Sequence, residues 1–342
     1  LRLRVKEGVI IVAEDLLQKI LNIPRPSPVL EECSVVVVGD IENINVPRCY
    51  LHRIALGDKW VTSASATIVP NIEGGLWLDY IRKYGDILGS KLRLLLIEMS
   101  RHKIYVVDAS KPYSPLVLSH SPVGREDSVV VLIMPGKGSS VFEKSSSYAS
   151  YEIARRRAGG VILIDRDRFS NLYGFTGERV LKQRGLEARI VEIILQSLER
   201  VMGFISINRR IGVRRYVVAA LIGASTAVYG DIYNSFRVLE KCVSWGFEDP
   251  SSIYRASSIL TIFRAPKTLY EDMLASYTKY LGSFQELLSH EGVYVEYGSR
   301  LGLYDLVALL GFPEIEAPDH IVQGHRSLEI VNPDLRIDEV VS

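Results

Sequence analysis

Arginine supplies the densest run of chemically active side chains: Arg209, Arg210, Arg214 and Arg215 crowd one short stretch, and Arg155–Arg157 form a second run. A guanidinium stays protonated at any working pH and forks onto carboxylates or phosphates. The cluster therefore reads as a solvated face or as a surface for an acidic partner. Nucleic acid ranks last, because only Tyr216 offers a stacking ring beside it. The loop Pro135-Gly-Lys-Gly-Ser-Ser140 could cradle a phosphate through its amides and Lys137, but it lacks the spacing of a P-loop and reads as a surface loop. Asp40, Asp165 and Asp167 fall where strands should end, the usual place for catalytic acids in α/β enzymes. Ser145–Ser147 stand in no nucleophile motif. The six histidines, His52, His102, His120, His290, His320 and His325, include no pair four residues apart, so no metal site is expected.

Composition narrows the setting in which such groups act. The chain has 342 residues, 47% hydrophobic and 24% charged, enough to bury a core in two domains or in one large domain with a smaller companion. Its 41 Lys and Arg against 40 Asp and Glu give no global field for nucleic acid or an anionic membrane, so any such contact must be local. Cys33, Cys49 and Cys242 are too few to staple a secreted scaffold and lack metal spacing, which points to a reducing, cytoplasmic interior. The longest apolar runs are far short of the ~20 residues of a spanning helix. Few Asn, Gln, Cys and Met beside many Arg, Glu, Val and Ile resemble a high-temperature proteome. Leu1–Lys6 lack the features of a secretory signal, and the missing Met suggests a start inside a longer product or a trimmed end.

The elements that must position these residues alternate. Short β-branched runs at Val9–Val12, Ser34–Gly39, Leu92–Glu98, Ile104–Val107, Ser128–Met134 and Gly160–Asp165 suit strands buried on both faces of a parallel sheet. Helical spacing appears at Glu14–Leu21, Leu76–Leu88 and Ser146–Arg157, and from Leu186 to Ser206 it is sustained for nearly six turns. Beyond it, Tyr216–Tyr229, Asn234–Trp245 and Thr268–Leu281 read as helices, and Ser257–Phe263, Val293–Tyr297 and Asp305–Leu310 as strands. The segment after Pro313, rich in Pro and charge, reads as a tail or surface arm. The expected plan is an α/β, Rossmann-like unit over residues 1–185, a connecting helix over 186–206, a smaller α+β unit over 207–318 and a tail over 319–342.

That order of elements resembles the FtsZ and tubulin superfamily, and local matches add to the likeness. Ser128–Pro135 leads to Phe142-Glu143-Lys144, a helix, and Val161–Phe169, much as an FtsZ strand ending in Pro leads to Phe-Glu-Gly-Lys-Arg, a helix and a strand closing with Pro-Asn-Asp. Arg53–Gly57, Ser63–Gly75, Val217–Gly230, Ala256–Ile262 and the pair Val293–Gly298 and Tyr304–Phe312 resemble further FtsZ segments, so the likeness spans residues 9–312, thinly before Arg53. It implies that Glu143, Arg166 and Glu192 are what is left of a nucleotide site.

The departures decide what the resemblance implies for activity. Family members cradle phosphate in glycine-rich loops, where the missing Cβ permits close approach. Here the first such position reads Ala13-Glu14-Asp15-Leu16 and the second Met99-Ser-Arg-His-Lys103. The family's water-activating Asn-x-Asp-x-x-Asp is replaced by Ile207–Tyr216, which holds no carboxylate, and arginine is no general base. The resemblance thus implies a structural or scaffold protein that self-associates or joins a partner filament, without GTP hydrolysis. No cofactor is expected, although GTP binding without turnover stays open. If head-to-tail geometry is kept, the arginine cluster would meet Glu14 and Asp15 of the next subunit. Two rival readings are an α/β enzyme or nucleotide binder using strand-end acids and the Gly-Lys-Gly loop, and a nucleic-acid factor using the arginines.

Overall fold

A computed structural model describes residues 33–41, 44–45, 49–63, 65–96, 102–121, 128–166, 183–242, 255–282, 289–296, 303–313, 317–335 and 337. The expected strand Val9–Val12, the helix Glu14–Leu21 with Glu14 and Asp15, residues 99–101 of the second loop, and Asp167 lie outside them.

The β-branched runs do form buried strands. In chain order the elements are β1 (Cys33–Val38), β2 (Cys49–Gly57), β3 (Val61–Thr62), β4 (Ala66–Pro70), α1 (Trp77–Leu96), β5 (His102–Asp108), α2 (Ser114–His120), β6 (Ser128–Met134), α3 (Val141–Arg157) and β7 (Gly160–Asp165). Then follow α4 (Gln183–Gln196), α5 (Leu198–Arg210), β8 (Arg215–Ser225), α6 (Thr226–Tyr229), α7 (Ile232–Cys242), β9 (Ser258–Ala265), α8 (Tyr270–Leu281), β10 (Ser289–Glu296), β11 (Leu303–Phe312) and α9 (Asp319–Val331). The strands form one 11-stranded sheet in the order β10-β9-β11-β8-β7-β6-β5-β1-β2-β4-β3. From β4 to β8 it is parallel, and β7 joins β8 through Val161↔Arg215 to Leu163↔Val217.

One apolar layer lies under α1, α2, α3, α7 and α8; the other lies under α4 and α5. Strands such as Ser128–Met134 are buried at every position, as expected when helices cover both faces. The helical period from Leu186 to Ile205 is carried by two helices, α4 and α5, with a turn at Ser197.

Several expectations are corrected. Leu92–Leu96, read as the start of a strand, is the end of α1; leucine is a strong helix former, and the run continues an established helix. Tyr216–Tyr229, read as a helix, is mostly β8, whose Val217, Val218 and Leu221 are buried between β7 and β11. The tail is not free: α9 lies on α3 and buries Ile321 and His325, and Leu335 and Ile337 pack with Trp77 beyond it. Cys33 and Cys49, which with Cys242 read as too few to staple a secreted scaffold and as pointing to a reducing interior, face each other across β1 and β2 with Cα atoms 4.7 Å apart and are joined by a disulfide. No helix among the described residues is long and apolar enough to cross a membrane.

Candidate functional site

Strand β1 has β2 on one side and β5 on the other, so the chain's direction of travel across the sheet reverses there. In open α/β sheets the crevice beyond the carboxyl ends of such strands is where ligands bind. Here it is bordered by Gly39-Asp40-Ile41 after β1, by Ala109–Tyr113 after β5, and by the end of β7. Gly39 has φ +101°, and a Cβ there would lie 2.7 Å from the Asp108 Cβ, so only glycine lets β1 end so close to β5.

Charged side chains of the protein itself meet in that crevice. The Asp108 carboxylate accepts from Ser110 Oγ at 2.6 Å and from Arg166 Nη2 at 3.1 Å. Arg166 Nε donates to Glu187 Oε1 at 2.7 Å, and Glu187, on α4, is 1% exposed. Lys111 pairs with the exposed Asp40 at 3.0 Å. Burial works against the Arg166 charge, but the Glu187 hydrogen bond and the Asp108 and Glu187 charges outweigh it and hold the guanidinium above its usual range. Tyr113 is pushed up by burial, and the nearby Asp40 and Asp108 add to the shift.

Two of the three residues expected to line this crevice are placed elsewhere in the bonding. Glu143 closes a capping box at the start of α3, accepting from Ser140 N at 2.8 Å while Glu143 N donates to Ser140 Oγ at 3.2 Å. Glu192 accepts from Asn45 N at 2.8 Å and lies 3.8 Å from Arg189. Arg166 is central, and its partners are Asp108 and Glu187, neither of them among the expected site residues. Asp108 ends β5 as Asp165 ends β7, so the strand-end rule could have found it; nothing local marks Glu187. Asp165 ends β7, and Lys137 lies in the turn closed by Ser139 N to Gly136 O, which leads into the capping box.

Helix α4 also carries Arg189 and Gln196 to the other half of the sheet. The buried Arg264 donates to Asp305 Oδ2 from Nε at 2.9 Å and from Nη2 at 2.6 Å, and from Nη1 to Gln196 Oε1 at 3.1 Å. Arg189 lies 3.4 Å from Asp305. One helix therefore bonds to residues that follow β1 and β7 and to residues of β9 and β11.

The arginine cluster lies at the opposite end of the strands, because crossover helices run antiparallel to the strands they join. Their last turns gather there: Arg93, His120, Arg155–Arg157, Arg209 and Arg210, followed by Arg214 and Arg215. Cations at helix C-termini complement the helix dipoles, so the fold collects positive charge at one end. Arg215 lies over the Tyr151 ring at 6.0 Å, and Arg210 and Arg214 are exposed. In the same stretch Ile207 and Ile211 are 57% and 48% exposed. The crevice end carries Asp40, Asp79 and Glu143 at the starts of loops and helices.

No family model matches the sequence, and no curated protein does either. Solved structures do. CetZ from Methanosaeta thermophila superposes with a TM-score of 0.59 at 11% identity, over 91% of this chain and 93% of that one. An FtsZ mutant from M. jannaschii gives 0.57 at 9% identity, over 89% and 95%. CetZ2 from Haloferax volcanii, in a GTPγS-bound protofilament, gives 0.55 at 12%, over 89% and 100%. The chain has the FtsZ/tubulin fold.

Proposed function

We propose that the chain is a self-associating scaffold or filament subunit that neither hydrolyses GTP nor depends on it. The observation that carries this reading is the sharing of Arg166 by Asp108 and Glu187 across the crevice where the fold would admit a ligand. A nucleoside triphosphate brings several negative charges. Both cations of the cluster, Lys111 and Arg166, already have carboxylate partners, and Asp40, Asp108 and Glu187 would repel the phosphates. At the start of α3 the Ser140 amide is already taken by the Glu143 carboxylate and the Glu143 amide by Ser140 Oγ, and the second residue of α2, Pro115, lacks an N–H. These residues do not fit a triphosphate. Neither does the segment Ile207–Tyr216 fit hydrolysis, since it supplies no acid to orient water.

Self-association is supported by the fold, by the protofilament of CetZ2, and by the charge polarity of the chain. A second copy stacked head to tail would set Arg210, Arg214, Ile207 and Ile211 against the end that bears Asp40. Electrostatic pairing of exposed groups is screened by salt, whereas the two isoleucines supply apolar burial that is not.

Incubating purified full-length protein with labelled GTP tests the first half. Neither saturable binding nor phosphate release is expected. Binding without turnover would overturn the filled crevice but keep the scaffold; binding with turnover would overturn both.

A further inference from the structure

Helix α9 lies along α3, and one buried hydroxyl fixes its seat. A Cβ on Gly324 would fall 2.6 Å from the Lys144 Cβ, so the two helices touch with backbone against side-chain stem. One residue on, His325 Nδ1 lies 3.0 Å from Ser145 Oγ, and the His325 ring stacks on Tyr148 with centroids 4.5 Å apart. Ser145 Oγ also accepts from Trp77 Nε1, on α1, at 3.1 Å. The neighbouring serines spend their protons on their own helix, Ser146 on Phe142 O at 3.0 Å and Ser147 on Glu143 O at 2.8 Å. Ser145 does not. An indole N–H can only donate, so the Ser145 proton goes to His325 Nδ1, and this requires a neutral imidazole.

We propose that α9 is an acid-released strap, held on α3 by neutral His325 and freed by its protonation to uncover Trp77, Leu78 and Ala149. These three form a small apolar cluster closed from outside by Leu335 and Ile337, which follow α9. A protonated ring would turn a second donor toward Ser145 and leave the serine proton without its acceptor. The charges around the site are Glu329 and Arg326 on α9 and Lys144, Glu152 and Arg155 on α3. Burial lowers the His325 pKa, and Glu329 and Glu152 only partly offset it. The group's seated value thus lies below its free value near 6.5, so the strap is fully held above that pH. Opening grows by up to about tenfold per unit as pH falls below it.

The test compares wild type with His325→Asn in the full chain. Asparagine Oδ1 keeps an acceptor for Ser145 but does not titrate. Limited proteolysis mapped by mass spectrometry should show cleavage within α9 rising by up to about tenfold in wild type between pH 7.5 and pH 5.5, with His325→Asn flat. Equal pH dependence in both proteins, or none in wild type, would overturn the proposal. Should His325→Asn fail to fold, NMR of wild type decides. The His325 ring and α9 amide exchange must share one midpoint, and two separate midpoints would end the idea.

Discussion

Arg166 and Glu187 lie 21 residues apart in the chain and 2.7 Å apart in space, at the point where the sheet reverses its direction of travel. Because Asp108 shares the same guanidinium, removing Arg166 takes one shared cation from two buried carboxylates. Arg166→Leu is expected to cost about 3–5 kcal/mol in urea unfolding, and Arg166→Leu with Glu187→Leu markedly less. A loss under about 1 kcal/mol for the single variant would show that the cluster contributes little.

Which parts of this site could be read beforehand follows from geometry. The strands Ser128–Met134 and Gly160–Asp165 and the helix ending at Arg157 were legible because unbroken β-branched runs and capped helices encode them locally. Arg166 was legible only through the family likeness, as a remnant of a nucleotide site, and its partners were not. Glu187 and Glu192 lie five residues apart on one helix, roughly 140° around its axis, and the packing of α4 decides which of them faces β7. The mistaken helix at Tyr216–Tyr229 shows the same limit. Its Val-Val-Ala-Ala-Leu-Ile run suits either element, and only flanking strands on both sides make it β. The strap α9 could have been found from Ile321, Gly324, His325 and Leu328, which repeat at helical spacing; the flanking prolines, Pro313, Pro318 and Pro333, and its own charges masked the pattern.

The bond between Cys33 and Cys49 leaves Cys242 as the one remaining thiol. Alkylation of unfolded, unreduced protein should therefore label a single cysteine, and prior reduction should make all three reactive. Closing a loop of 16 residues contributes about 3 kcal/mol, so Cys49→Ser should lower the urea midpoint accordingly. Three labels without reductant would contradict the pairing.

Buried phenols set the alkaline limit. Burial raises Tyr105, Tyr113, Tyr216 and Tyr277 well above the ordinary value of 10, and pushes Tyr151 up to about 12. The unfolded chain releases these protons near pH 10 while the folded chain keeps them, so stability is complete below pH 10 and falls as pH rises above it. Tyrosinate absorbance should lag behind that of free tyrosine up to the unfolding transition. Simple ionisation of all 18 tyrosines near pH 10 in folded protein would refute the burial.

The central claim is assembly without nucleotide. Sedimentation of the nucleotide-stripped full chain across salt concentrations tests it directly, with Arg210→Glu/Arg214→Glu as the comparison. The expected result is large species at low salt, shrinking as salt rises, unchanged by added GTP and lost in the double variant. Assembly that appears only with GTP, or that the double variant leaves intact, would contradict it.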